Sequence, residues 1–281
     1  ISGRVLFRSD ESHHITYKPN KEGEFPYNKW YIIAQRFVNA LWRVGLTATP
    51  GVKGDLGRLM LEGSTGKVQA EYTRIQAEKD GVVCPFNCRI FEVECTATTT
   101  WQSAYKINIT SNDEHHRLIA RIAKDLVKDG RKVVIIFDEV ESHIRPIAEL
   151  LPEAEVLTGN DNGNTRKETT KRFEKGLTSI ILTTVISEGV NIPAIDAIIL
   201  AAGKGSREKV ERNVSQRVGR GSRISNGKDD LILVDFYHKN NRFLQIHSRN
   251  RIKVLKELGG KIEYYNPETL QPINELHATL T

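Results

Sequence analysis

The run KVVIIF at residues 132–137 decides the fold class of this chain. Its unbroken apolar part, VVIIF, is typical of a strand that is buried on both faces of a sheet. Apolar runs also occur in SIILTT (179–184) and IDAIIL (195–200), and stretches with helical apolar spacing lie between the runs. The alternation predicts an α/β fold with a parallel sheet covered on both faces, and ligands at the carboxyl ends of its strands.

The pattern around this run predicts a regular domain. It places helices at 113–129, 140–151, 165–175, 208–219 and 243–258, and strands at 132–137, 155–158, 178–184, 195–200 and 230–236. Upstream it predicts strands at 4–7 and 43–46, a helix at 29–42 and a charged, β-leaning segment at 68–95. Small polar residues at 96–100 are typical of a linker. We therefore predict a first domain at 1–95, a linker at 96–103, a second domain at 104–266 and a C-terminal tail at 267–281.

Composition restricts the class of protein. Hydrophobic residues make up 39% of the 281 residues, charged residues 27%, and the mean hydropathy is −0.40, which is typical of a globular protein. The sequence has no apolar stretch of the roughly 18 residues that a membrane span needs. We expect a protein that stays inside the cell, in the cytoplasm or on the nucleoid. The formal net charge of +6 and the pI of about 9.1 suit a nucleic-acid partner, but many basic proteins bind none.

The three cysteines, Cys84, Cys88 and Cys95, lie close together in the sequence. Their number is odd, and the spacing from Cys84 to Cys88 is not the two-residue gap of a zinc knuckle. We expect reduced structural thiols rather than a disulfide or a metal site.

The first candidate motif is DESHH at 10–14, directly after a predicted strand. In nucleotide hydrolases, an acidic pair at the carboxyl end of a strand holds Mg²⁺ and orients the attacking water. Asp10 would take the metal role and Glu11 the water role. Taken alone, the pentapeptide could equally be a solvated acidic turn that caps a helix.

The second motif is GLTATP at 45–50, which follows the next predicted strand. Small hydroxyl residues in a turn allow close backbone approach, and Thr47 and Thr49 could relay hydrogen bonds between nucleotide and nucleic-acid sites. The alternative is a generic turn that ends at a proline.

The third motif is TTVISEGVNIPAID at 183–196. Its hydroxyl groups and Gly189 suit contacts with phosphates or ribose, and Asn191 could bond a ribose hydroxyl. The alternative is a loop that merely reverses the chain.

The fourth motif is QRVGRGSR at 216–223, at the end of a predicted helix. Arg220 and Arg223 are candidates to reach a γ-phosphate and neutralise charge that develops in the transition state. A basic helix end favoured by the helix dipole would explain one arginine but not this spacing.

In this order, the four motifs resemble motifs II, III, V and VI of superfamily 2 helicases. The DExHH form, GLTATP and SEGVNIP are most similar to the XPB, UvsW and RadD-like DNA translocases. The resemblance implies a RecA-like P-loop NTPase fold, with part of a first domain and a complete second domain that close on ATP, Mg²⁺ and a nucleic-acid strand. We assign catalysis to Asp10, Glu11, Gln216, Arg220 and Arg223, and nucleotide binding to Gly189, Asn191 and the same two arginines. We assign coupling to nucleic acid to His14, Thr47, Thr49, Thr183 and Thr184.

A motor of this kind also needs a GxxxxGK[ST] loop before the first motif. Nine residues precede Asp10, and the similar stretch Gly63–Lys67 is followed by Val68 and lies after GLTATP. We reject that stretch as a phosphate loop. We expect this chain to be the C-terminal piece of a longer protein and to be inactive by itself.

The leading hypothesis is therefore the motor half of an ATP-dependent DNA helicase or translocase. The same motifs fit an RNA helicase, because contacts to the phosphate backbone do not distinguish the two polymers. A non-catalytic nucleic-acid-binding module is the alternative if the full-length protein also lacks a phosphate loop. The oligomeric state does not follow from the sequence.

Overall fold

The computed structural model describes residues 6–10, 12, 29–36, 40, 42–47, 55–184, 194–203, 207–225 and 227–273. The chain forms two compact units, a smaller unit of residues 1–72 and a larger unit of residues 73–281.

Among its described residues, the smaller unit contains two neighbouring strands and two helices. Its elements are β1 (Leu6–Asp10), α1 (Lys29–Arg36), β2 (Trp42–Leu46) and α2 (Asp55–Thr65). Strands β1 and β2 pair in parallel, with Leu6 opposite Trp42 and Asp10 opposite Leu46. Because the two strands run in the same direction, both end at the same edge of the sheet.

The larger unit alternates strands and helices along the chain. Its elements are α3 (Arg74–Lys79), β3 (Phe86–Glu94), α4 (Trp101–Tyr105), α5 (Asp113–Lys128), β4 (Val133–Ile136), α6 (Arg145–Leu150), β5 (Glu155–Leu157), α7 (Gly163–Glu174), β6 (Ile180–Thr183), β7 (Ala197–Leu200), α8 (Arg207–Gly221), β8 (Leu231–Lys239), α9 (Arg242–Glu257) and β9 (Lys261–Tyr265). Short π-helical segments, Lys106–Thr110 and Val140–Ile144, precede α5 and α6.

Seven strands of the larger unit form one sheet in the order β5-β6-β4-β7-β8-β3-β9, and every pair in it is parallel. This confirms the predicted α/β fold with a parallel sheet. Strands β4 to β8 and helices α5 to α9 begin and end within a few residues of the predicted bounds. Their strong apolar periodicity makes them readable from local sequence.

The core of the larger unit lies on both faces of this sheet. Val134 and Ile136 of β4 pack with residues of α7, α8 and α9, whereas Val133 and Ile135 pack with residues of α5 and α6. All four side chains are completely buried. Burying an aliphatic side chain of this size contributes about 1.5 to 3 kcal/mol. A central strand covered on both faces therefore has to be apolar at every position, as the four residues VVII of β4 are.

The segment 68–95, which we predicted to be a charged, β-leaning segment, contains the helix α3 before β3. Thr73 and Gln76 form a reciprocal capping box at the start of this helix. The Thr73 hydroxyl accepts from the Gln76 amide, and the Gln76 side chain accepts from the Thr73 amide. The sequence T-R-I-Q carries this signal, so α3 could have been predicted from it.

The division between the two units differs from the predicted domain boundary. Strand β3 pairs with β8 and β9 and so lies inside the larger sheet, although we expected residues 1–95 to belong to the first domain. The predicted linker is also bonded into the larger unit, because Asn108 accepts from the Thr96 amide at 2.7 Å and Asn241 donates to the Thr96 carbonyl at 2.9 Å. Polar residues there satisfy buried partners rather than mark a flexible connection. Strand β9, at the edge of the sheet, was not predicted.

The three cysteines of the larger unit are free and buried. Burial raises the pKa of the Cys88 and Cys95 thiols to about 12. These thiols are therefore protonated at neutral pH and inert toward oxidants and metals. Within the described ranges, no helix has the length and apolarity that crossing a membrane would require.

Two buried histidines make the stability of the larger unit depend on pH. Burial lowers the pKa of His115 to about 3 and the pKa of His238 well below its usual value, and their rings lie 5.7 Å apart. Both rings are therefore neutral in the folded protein, whereas in the unfolded chain they bind protons below about pH 6.5. We expect the free energy of unfolding to fall as the pH is lowered from about 6.5 toward 3, by up to about 1.4 kcal/mol per pH unit for each histidine.

Urea unfolding of the chain at several pH values measures this dependence. Carboxylates also titrate in part of the same range, so the informative comparison is with His115→Leu, which removes one titrating ring. We expect this variant to lose part of the slope between pH 6.5 and pH 5. Identical slopes for both proteins would contradict the assignment.

Candidate functional site

In the smaller unit, the first two motifs follow adjacent strands. Asp10 is the last residue of β1 and lies opposite Leu46, the last residue of β2, and Thr47 follows directly. Ser12, two residues after Asp10, is buried. The parallel register therefore brings Asp10 and Leu46, the ends of the two strands, to one edge of the sheet.

Gly45 of β2 lies close to the side chains of Ser12 and Thr65. A Cβ atom at this position would lie 3.0 Å from the Ser12 hydroxyl and 2.9 Å from the Thr65 hydroxyl. Contacts this short are tighter than nearly all real Cβ contacts, so a side chain at position 45 would require the Ser12 and Thr65 side chains to move. Thr65 is the last residue of α2, and its hydroxyl donates to the Leu61 carbonyl.

The rejected phosphate-loop candidate lies in a helix. Gly63, Ser64 and Thr65 form the end of α2, and the Ser64 hydroxyl donates to the Met60 carbonyl at 2.8 Å. A phosphate loop instead precedes the helix and directs its amides to the ligand. The geometry therefore agrees with the rejection of this stretch.

Several predicted residues lie outside the described residues. Neither the backbone nor the side chain is described for Glu11, His14, Thr49, Gly189 and Asn191. Asp10 is placed by its backbone only.

In the larger unit, the third motif begins at the carboxyl edge of the sheet. Thr183, the last residue of β6, is completely buried, and its carbonyl accepts from the Phe137 amide beyond β4 at 2.9 Å. Thr184 follows and is half-buried. The Ala202 amide beyond β7 donates to the Ile136 carbonyl at 3.0 Å. The ends of β6, β4 and β7 thus lie side by side, where ligands of open α/β sheets bind.

The fourth motif occupies the end of α8. Val214 and Val218 face the core, whereas Gln216 and Arg220 are half-buried. Residues four apart share one face of a helix, so Gln216 and Arg220 project in the same direction. Arg223 lies just beyond the helix and is exposed.

Gly221 lets the end of α8 lie directly on the sheet. A Cβ at this position would lie 2.7 Å from Cδ1 of Ile198 in β7 and 2.8 Å from Cδ2 of Leu231 in β8. The buried Lys228 then holds the turn, because its ammonium group donates to the carbonyl oxygens of Gly221 and Ile195. Sequence reasoning missed Lys228, and no local pattern marks it.

A buried ion pair lies between β8 and α9. Nε of Arg251 lies 2.8 Å and 3.0 Å from the two carboxylate oxygens of Asp235, and both side chains are almost fully buried. The same guanidinium donates to the carbonyl oxygens of Phe236 and Gly203 at 3.1 Å and 3.3 Å. Arg251 therefore links α9 to β8 and to the segment that follows β7.

Arg217 of α8 belongs to the same charged region. Burial lowers the pKa of its guanidinium, the negative charge of Asp138 opposes this shift, and Arg251 and Asp235 act more weakly. Asp138 lies just beyond β4 and accepts from the Tyr105 hydroxyl at 3.2 Å. The predictions included QRVGRGSR but assigned no role to Arg217, which tertiary packing places near the acidic residues.

Comparisons with known proteins find one matching protein family and several structures with a similar fold. Residues 115–225 match the family model described as "Helicase conserved C-terminal domain". No curated protein matches the sequence significantly.

Three solved structures share the fold at low identity. They are an ATP-dependent Type ISP restriction-modification enzyme, LlaBIII, bound to DNA (16% identity, TM-score 0.59), S. cerevisiae Dbp5 bound to RNA and ADP BeF3 (15%, 0.59), and T4 UvsW (16%, 0.52). They cover 94%, 94% and 95% of this chain, respectively.

The chain in turn spans only 22%, 60% and 55% of the lengths of these three proteins. The matched residues run from α5 through β4 to the turn after α8, and so contain the third and fourth motifs. Residues 115–225 of this chain therefore match the helicase conserved C-terminal domain family, and the chain shares its α/β fold with these three structures.

Proposed function

We propose that this chain is the motor portion of a longer ATP-dependent helicase or translocase that acts on DNA in the cytoplasm or on the nucleoid. One observation carries the proposal: the match to the helicase C-terminal domain ends on the turn that presents Arg220 and Arg223. Arginines at such a position would neutralise the charge that develops on the γ-phosphate of a bound nucleoside triphosphate.

The residue types that we assign to the site, carboxylates and arginines, fit ATP and Mg²⁺. In nucleotide sites, Mg²⁺ is bound by one or two carboxylates and by substrate phosphates, and Asp10 offers a carboxylate at the carboxyl end of β1. Arg220 and Arg223 would contact the phosphates, and Glu11 would orient the attacking water. Bound ATP supplies the phosphoryl group whose transfer to water drives the motor.

Charge supports a nucleic-acid partner. Five basic and two acidic residues lie between Gly163 and Leu177, so this stretch holds half of the chain's formal net charge of +6. Several of the basic side chains line a shallow groove of about 410 Å³ along α7, among them Lys167, Lys171 and Lys175. Positive charge on one helix face attracts the phosphate backbone of either polymer.

The DNA assignment rests on the motif resemblance to XPB, UvsW and RadD-like translocases. RNA remains the second candidate, because Dbp5, solved with RNA, matches the fold as well as the DNA-bound LlaBIII does. Both likenesses are too distant in sequence to carry a substrate from one protein to another.

The test is ATP hydrolysis by the full-length protein without nucleic acid, with single-stranded or branched DNA, and with RNA of matched sequence. We expect DNA to stimulate hydrolysis more strongly than RNA. Stronger stimulation by RNA would replace the DNA assignment with an RNA helicase. If neither polymer stimulated hydrolysis but both bound, the chain would act as a non-catalytic binding module.

A further inference from the structure

The segment 73–84 connects the start of the larger unit to the turn of the fourth motif. It begins at the division between the two units, forms α3, and then runs antiparallel to the residues after α8. Val83 forms a β-bridge with Arg223, and the Cys84 amide donates to the Ser222 carbonyl at 2.9 Å. We call this stretch the junction segment.

Arg74 is the side chain that joins the junction segment to this turn. One of its terminal nitrogens, Nη2, donates to the Cys84 carbonyl at 2.7 Å and to the Ser222 hydroxyl at 3.3 Å. The other, Nη1, forms an ion pair with Glu78 at 2.7 Å, and the guanidinium lies over the Phe86 ring at 4.3 Å. Only 11% of the Arg74 side chain is exposed.

Ser222 is the matching group on the turn. Its side chain is completely buried, and while its hydroxyl accepts from Arg74 it donates to the Val218 carbonyl at 2.6 Å. The hydrogen bonds therefore run from the junction segment through Ser222 into the last turn of α8, which carries Arg220.

The turn is thus held from two sides. Lys228 binds the Gly221 carbonyl, while Cys84 and Arg74 bind the backbone and side chain of Ser222. A planar guanidinium donates several hydrogen bonds in fixed directions. The donors of an ammonium group rotate and fix no such directions. Arg74 is therefore suited to fix the geometry of the turn and not merely to supply charge.

We propose that Arg74 is a positioning residue for the fourth motif: through Cys84 and Ser222 it sets the place of the turn that carries Arg220 and Arg223. The inference rests on the proposed function, because the position of these arginines matters only if they meet a phosphate. Arg74 is the second residue of the larger unit, so the contact to the turn of the fourth motif is made by the first residues of that unit.

The test uses Arg74→Ala in the full-length protein, with nucleic-acid-stimulated ATP hydrolysis as the readout. A displacement of about 1 Å at a reacting group can cost about 100-fold in rate. We expect kcat to fall by about 10- to 100-fold, with little change in the KM for ATP or in nucleic-acid affinity. We expect Arg74→Lys to retain part of the activity and Ser222→Ala to lower kcat less than Arg74→Ala does.

Glu78→Gln is the matched control, because it removes the local ion pair of Arg74 and leaves the contacts to Cys84 and Ser222 in place. We expect it to have nearly wild-type kcat. Hydrogen exchange of the Cys84 amide, which bonds to Ser222, gives a readout that does not depend on activity. We expect faster exchange in Arg74→Ala at temperatures where the protein remains folded.

The outcomes separate the two proposals. A wild-type protein whose hydrolysis no nucleic acid stimulates would overturn the proposed function, and the positioning role with it. A stimulated wild-type protein with unchanged kcat in Arg74→Ala would overturn the positioning role alone. The positioning role would also be overturned if Glu78→Gln lost as much activity as Arg74→Ala. It would likewise be overturned if Arg74→Ala raised the KM for ATP and left kcat unchanged.

Discussion

Replacing Arg220 by alanine in the full-length protein is expected to lower nucleic-acid-stimulated ATP hydrolysis on the order of 10³-fold. Arg220 lies in the last turn of α8, on the same face as Gln216, at the end of the matched helicase domain. A guanidinium there would neutralise charge that develops on the transferred phosphoryl group, and alanine supplies no charge. Steady-state kinetics with saturating DNA measures the effect.

Arg117→Ala is the control for this experiment. Arg117 is an exposed arginine on α5, which packs on the opposite face of the sheet from α8, so its replacement changes the net charge equally. We expect it to retain wild-type activity. Glu11→Gln, which removes the proposed water-orienting carboxylate, should lose hydrolysis as Arg220→Ala does. A full-length protein whose hydrolysis ignored both Arg220→Ala and Glu11→Gln would contradict the role assignments.

Asp235→Ala is expected to lower the free energy of unfolding by about 3 to 5 kcal/mol, because it leaves the charge of Arg251 buried without its partner. The side chains of this pair are 1% and 3% exposed, so water cannot replace the lost carboxylate. Urea unfolding of the whole chain at neutral pH measures the change.

An exposed pair on the same helix provides the comparison. Lys253 and Glu257 of α9 approach to 3.8 Å, with more than half of each side chain in solvent. Exposed pairs of this kind contribute about 0 to 1 kcal/mol, so Glu257→Ala should change stability little. If Asp235→Ala changed stability no more than Glu257→Ala, the buried pair would not be a major stabilising contact.

The regular part of the fold follows from short-range sequence patterns. The residues VVII of KVVIIF are completely buried as β4, and the spacing of QRVGRGSR places Gln216 and Arg220 on one face of α8, as helical periodicity requires. These features depend on residues within a turn or a strand of one another, so the sequence itself predicts them.

Two elements near the division between the units differ from the prediction. The strand β3 belongs to the larger sheet because its backbone pairs with β8, which lies far away in the sequence. The helix α3 was overlooked even though its capping box is visible in T-R-I-Q. The place of β3 in the larger sheet depends on its tertiary partners, whereas the start of α3 follows from a local signal in the sequence.

The sequence by itself determined the parallel α/β architecture and the order of four motifs, because both depend on residue types at short spacings. Only the tertiary structure decided which groups hold the fourth motif in place. Arg74 and Ser222 are 148 residues apart, and Lys228 lies 33 residues from its partner Ile195. Such pairs form only after the strands have assembled in their order, and side-chain chemistry alone does not specify that order.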